Sequence, residues 1–189
     1  MRGPHAYRSP LPLARHACAH GRLPEWLTAP GSLTARLRRH GTVRVQVLTQ
    51  GTRRLWAHER GVLGVAHGHV REVVLWLDAR PAVWARSATR LADARGPWRA
   101  IRGLGNRPLA EVLFNGAGIR RDPLHVHRWP MTGPEHGRCR RQWAALPGPT
   151  DDDAPVWGRS SVFRHRGAPL LVTECFAAAL SRLSALPDG

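Results

Sequence analysis

Lysine is absent from this chain of 189 residues: all 29 of its basic side chains are arginine. Set against 13 acidic residues they give a formal charge of +16, which at face value points to nucleic acid. An arginine-only bias beside abundant alanine, glycine and proline is also what a GC-rich genome produces, so much of that charge is discounted as codon usage. No strand pattern interleaves aromatic with basic residues, and no nucleic-acid-binding motif is present. Cysteine is scarce as well. Cys18, Cys139 and Cys175 are odd in number and form no CxxC pair, which argues against a disulfide framework and a zinc ribbon. No apolar run reaches the length of a signal peptide or a membrane span. The expectation is a soluble, cytoplasmic, monomeric protein with no nucleic-acid partner, long enough for one domain.

Residues 1–22 are rich in Pro, His and Arg without periodicity and are read as a poorly ordered lead-in to a domain over 23–189. His16, Cys18 and His20 alternate, and His125, His127 and His136 lie near one another, but neither set matches an established zinc spacing, so no metal site is assigned. Ser32 as N-cap, Leu33 and Leu37 four apart, and Gly41 as a left-handed terminator predict a helix over 33–40, with Arg36, Arg38 and Arg39 on a solvated face. Val43 to Leu48 alternates as a strand that Gly51 ends. Between Thr52 and His69 the pattern is ambiguous, with Leu55 to Ala57 and Gly61 to Ala66 as possible further strands. Asp78 to Pro81 turns the strand Val70 to Leu77 back into Ala82 to Thr89, and two short helices follow over 97–114. The Pro- and Gly-rich tract Arg128 to Ala154 reads as a long inserted loop, and Ala177 to Leu186 as helical at its start. Hairpin-joined strands with helices bunched between them predict an α+β domain, mainly an antiparallel sheet with helices covering one face.

Two charges sit in apolar rows. Val156 to His165 and Pro169 to Phe176 form a hairpin about a turn at Arg166 to Ala168, and the period of two puts Glu174 on the face of Leu170, Val172 and Phe176. In the strand Val70 to Leu77, Arg71 shares a face with Val73, Leu75 and Leu77. A buried charge is costly unless paired, so such residues are either structural partners or parts of a site. A pocket holding both would suit a small ligand with a carboxylate at one end and a hydroxyl at the other. Arg86, beside Trp84 and Ala88 on the return strand, is a second candidate cation for that pocket or else projects to solvent.

The pieces WGRSSVFRHRGAPLLVTECF, VREVVLWLDARPAVWARS and LGNRPLAEVLF resemble the bacterial chorismate lyases, or chorismate-pyruvate lyases, across about Pro24 to Ala178. The resemblance implies conversion of chorismate to 4-hydroxybenzoate and pyruvate, the first committed step towards ubiquinone, without metal or cofactor. It also implies a buried site beneath helix-turn-helix flaps. The positions matching the family's binding residues are Leu33, Arg71, Leu109 and Glu174, with Arg71 and Glu174 carrying the catalysis. Some members have Met where this chain has Leu33, which a backbone contact would tolerate. Three other readings stay open: a non-catalytic effector-binding domain of the same fold, a related lyase making another hydroxybenzoate, and, ranked last, a basic nucleic-acid binder.

Overall fold

The strands His67–Leu77, Arg80–Thr89 and Ala168–Phe176 are buried along almost their whole length, so both faces of the sheet they form are covered. In the computed structural model, which describes residues 21–129, 133–148 and 154–185, these are β2, β3 and β7 of one antiparallel sheet. Its order is β1-β2-β3-β7-β6-β4, with β5 also paired to β6. The outer strands are β1 (Val43–Arg54), β4 (Ile119–Arg121), β5 (His125–Arg128) and β6 (Trp157–His165).

One face carries the helices α1 (Leu23–Thr28) and α2 (Leu33–Leu37), whose Trp26, Leu27, Leu33 and Leu37 pack with Val45, Val73, Leu75, Val83 and Phe176. Farther along the same face, Trp98, Ile101 and Leu104 around a 3-10 turn at Arg99–Gly103, together with α5 (Ala110–Leu113), pack on Phe163, Leu170 and Val172. The Ser32 hydroxyl accepts from the Ala35 amide as an N-cap should. α2 is shorter than expected, and Gly41 is not left-handed: a Cβ there would lie 2.5 Å from the Asp78 carboxylate, which accepts from the Thr42 amide. Arg36 is buried rather than solvated, its Nε and Nη2 donating to the Pro30 carbonyl.

Two expectations are overturned on the chain between the strands. β1 continues past Gly51 to Arg54 through a bulge near Val47, and the ambiguous tract that offered Leu55 to Ala57 and Gly61 to Ala66 as possible strands instead holds a helix, α3 (Ala57–Leu63), whose Glu59 accepts from the Trp56 amide. The tract 128–154 is not a structureless loop. β5 enters it, and Pro134–Ala144 forms an eleven-residue helix, α6. Cys139 and Trp143 of α6 pack with Val74, Trp76, Trp84 and Cys175 on the other face of the sheet, adding a second helical layer. Another short helix, α4, spans Leu91–Arg95, and a 3-10 turn spans Ala178–Arg182. Of the earlier metal candidates, His16, Cys18 and His20 lie outside the described residues. No helix among the described residues is long and apolar enough to cross a membrane.

The α6 face holds a buried ionic cluster. Arg86 donates to Glu59 through Nε (2.6 Å) and Nη2 (2.8 Å) and to Glu72 through Nη1 (2.5 Å), with its guanidinium 3.9 Å from the Trp56 ring centroid. Arg138 and Gln142 of α6 complete Glu72 with bonds of 2.6 to 2.8 Å, and Gln142 accepts from the Trp84 indole. Burial opposes ionisation of Glu72, yet the hydrogen bonds from Arg138 and Gln142 and the charge of Arg86 prevail and hold its carboxyl below the usual range.

Because Trp143 is buried in the core under α6, Trp143→Ala should lower the unfolding free energy by about 3 to 5 kcal/mol, read as a drop in urea midpoint. On the same side of the sheet His127 stacks on Trp129, and burial lowers its pKa from 6.5 to about 4. A depressed histidine stabilises the fold fully above pH 6.5 and loses that contribution as pH falls towards 4, a span worth on the order of 3 kcal/mol. Thermal melting across this window should therefore show a flatter profile for His127→Gln than for the unsubstituted protein.

Candidate active site

Alternation along β2, β3 and β7 sends Arg71, Val73, Leu75, Ala85, Val172 and Glu174 towards the α2 and α5 side, where they line one cavity with Leu33, Thr34, Pro108, Leu109, Leu113 and Phe163. Leu33, Arg71, Leu109 and Glu174, the positions that the family resemblance marked, thus meet around a single cavity. Arg71 pairs in register with Ser87, and Ser87 with Val172, two residues before Glu174 on β7. Two strand spacings across and two residues along separate the Arg71 and Glu174 Cα atoms by about 12 Å, enough for two inward side chains and a six-membered ring between them.

Arg71 is buried to 2% exposure. Its Nη2 donates to the carbonyls of Gly105 (2.9 Å) and Arg107 (3.1 Å), holding down the loop that leads to Pro108 and α5. Its Nε is buried with no hydrogen-bond partner among the described residues. Desolvation pushes the guanidinium below its ordinary value. A buried cation with an unused donor is an arrangement that favours an anionic partner.

Glu174 is not alone, and its partner escaped the sequence reading. Arg159 lies directly opposite it on β6, and Arg159 Nε donates to Glu174 Oε2 at 2.6 Å. Arg159 Nη1 donates to the carbonyls of Trp26 and Ala29, so this one side chain fastens α1 to the sheet and fixes the carboxylate. Glu174 Oε1 makes no hydrogen bond among the described residues. Arg121 also lines the cavity and went unnoticed; three-residue β4 has too little pattern to read.

Arg86, the second candidate cation, borders this space but does not present its charge to it. Its guanidinium lies on the α6 face, neutralised by Glu59 and Glu72, because it alternates out of phase with Ala85 and Ser87. His125 and His127 lie on β5 and His136 on α6, and no group of three or more His, Cys, Asp or Glu among the described residues is arranged to hold a metal.

The chorismate lyase family model matches residues 18–183. A probable chorismate pyruvate-lyase of Albidiferax ferrireducens is 43% identical over 162 residues, covering 84% of this chain and 82% of the relative. One of Azoarcus sp. is 43% identical over 175 residues, covering 90% and 89%. Among solved structures, the effector domain of PhnF from Mycobacterium smegmatis superposes with a TM-score of 0.52 at 18% identity, over 78% of this chain and 88% of that one, a likeness of fold. With the family model spanning most of its length, the chain belongs to the chorismate lyase family, a family of lyases.

Proposed function

We propose that the protein converts chorismate to 4-hydroxybenzoate and pyruvate, the entry to ubiquinone synthesis. The observation that carries this reading is the pairing, in one covered cavity, of a buried cation with a free donor, Arg71, and a fixed carboxylate with a free oxygen, Glu174. Their spacing fits a ring with a carboxylate at one end and a hydroxyl at the other. Family membership and the names of the relatives support the same substrate.

The chemistry asks for positioning more than for a reagent. The ether bond between the ring and the enolpyruvyl oxygen breaks, and hydrogen leaves the neighbouring ring carbon, which bears the hydroxyl. The new double bond between those two carbons makes the ring aromatic. Passed directly to the enolpyruvyl methylene, that hydrogen completes the methyl group of pyruvate while the ether oxygen becomes its keto oxygen. In this reading Arg71 Nε holds the ring carboxylate. Glu174 Oε1 accepts the ring hydroxyl, its other oxygen being engaged by Arg159, and so acts as an orienting acceptor. Leu33, Leu109, Val73 and Val172 exclude water and press the ring into one plane.

Incubation with chorismate followed by chromatography should yield 4-hydroxybenzoate and pyruvate in equal amounts; binding without turnover would favour an effector domain, and another isomer a related lyase. Arg71→Ala should weaken 4-hydroxybenzoate binding on the order of tenfold to a hundredfold by calorimetry. Unchanged affinity would reject the clamp. Glu174→Gln keeps shape and an acceptor oxygen, so turnover should fall by at least tenfold with the melting temperature near that of the parent. Normal turnover by the folded variant would reject the assignment.

A further inference from the structure

The pocket face carries more positive charge than a single carboxylate can answer. The charged residues lining the cavity are Arg71, Arg86, Arg121 and Glu174; Arg86 turns its guanidinium to the other face, and Arg159 joins this side through its bond to Glu174. Arg159 is spent on Glu174 and on the Trp26 and Ala29 carbonyls, which leaves Arg71 and Arg121. The opposite face provides a contrast: there Arg86 and Arg138 are matched by Glu59 and Glu72 within the protein. An excess of two positive charges in a covered cavity calls for a ligand with two negative ones.

Arg121 is built to present a donor. It lies on β4 with its guanidinium 5.1 Å from the Phe163 ring centroid, and its Nε donates to Ser161 Oγ at 2.8 Å. Nη1 makes only a long contact of 3.4 Å to the Gly31 carbonyl, and Nη2 takes no partner among the described residues. Its anchor Ser161 lies two residues from Arg159 on the same face of β6, and Arg159 is opposite and bonded to Glu174, which places Arg121 on the Glu174 side of the cavity; desolvation lowers its pKa while the charge of Glu174 works the other way. In chorismate the enolpyruvyl ether sits on the ring carbon next to the one bearing the hydroxyl. A group beside Glu174 therefore meets the enolpyruvyl arm, whereas Arg71 meets the ring carboxylate two strands away. We propose that Arg121 binds the carboxylate of the enolpyruvyl group, holding that arm over the ring as the ether bond breaks and separating substrate from product by a contact that only substrate can make. This rests on the chorismate reading above.

The test compares two ligands of the same cavity. Arg121→Met removes the charge and keeps a stem to pack on Phe163. With wild-type protein turning over chorismate, the variant should lose about thirtyfold or more in kcat/KM, while 4-hydroxybenzoate, which lacks the arm, binds within about twofold of wild type. Equal losses for both ligands would mean that Arg121 only shapes the cavity, and no loss for either would mean that it faces away from the arm; each overturns the proposal. Should Arg121→Met fail to fold, Ser161→Ala frees the guanidinium from its orienting bond, and the same split between the ligands is expected at about threefold to tenfold, with equal effects again overturning it. If wild-type protein binds 4-hydroxybenzoate but leaves chorismate unchanged, the chorismate reading itself falls. Arg121 then has no enolpyruvyl arm to hold.

Discussion

A sheet covered on both faces sorts its charges by parity, because neighbouring residues on a strand enter separate compartments. Arg71 and Glu72 are adjacent in sequence and both buried, yet one faces the cavity and the other the α6 layer. The Glu72 side is closed electrostatically: carboxylates and guanidiniums match, and every bond in the cluster is made within the chain. The Arg71 side is left open. That imbalance, which burial makes costly, is what suits an apolar cavity to the anionic ring of the proposed function.

Each side depends on pieces that are weak alone. α2 has five residues and α5 four, far too few to be helical on propensity. Apolar packing of Leu33, Leu37 and Leu113 holds them on the sheet, and guanidiniums of the sheet fasten the chain just before each: Arg71 through the Gly105 and Arg107 carbonyls ahead of α5, Arg159 through the Trp26 and Ala29 carbonyls of α1 and its end, ahead of α2. The residues proposed to hold the ligand or its partner carboxylate thus also hold segments bordering the cavity, so ligand binding and closure draw on the same guanidiniums. Short elements with few buried contacts are also the ones that open most easily, which offers a route by which a covered site can exchange its contents.

The turn between β6 and β7 shows how close the sequence came to the whole site. Its two central residues are Arg166 (φ 50°) and Gly167 (φ 80°), the left-handed pair of a two-residue hairpin, with His165 opposite Ala168. Counting back from that turn puts Arg159 opposite Glu174. Read with a third turn residue, Ala168, the register slips by one and places Ser160 there, which hides the partner. The missed helix α6 has a different cause: it starts at Gly133-Pro134, has Gly137 within it and shows only a thin apolar stripe, Cys139 and Trp143. Its polar residues Arg138 and Gln142 find their stabilising partner, Glu72, 66 and 70 positions away, a distance no local pattern reports.

By itself the sequence determined the strands of the sheet's centre, their alternation, and hence which face receives Arg71 and Glu174, because the period of two is a local property of the extended chain. It also marked Ser32 as a cap and the helices that lie over the cavity. Tertiary structure alone decided which charges are answered. Arg86 and Arg71 are both arginines in apolar rows, but one meets Glu59 and Glu72 while the other keeps a free donor. Arg36, expected in water, is buried against Pro30, and Arg121 is brought from an edge strand to the Glu174 end of the cavity. Pairing of this kind is long-range and depends on which segments the fold brings together, so it becomes visible only when the sheet has closed under both of its helical layers.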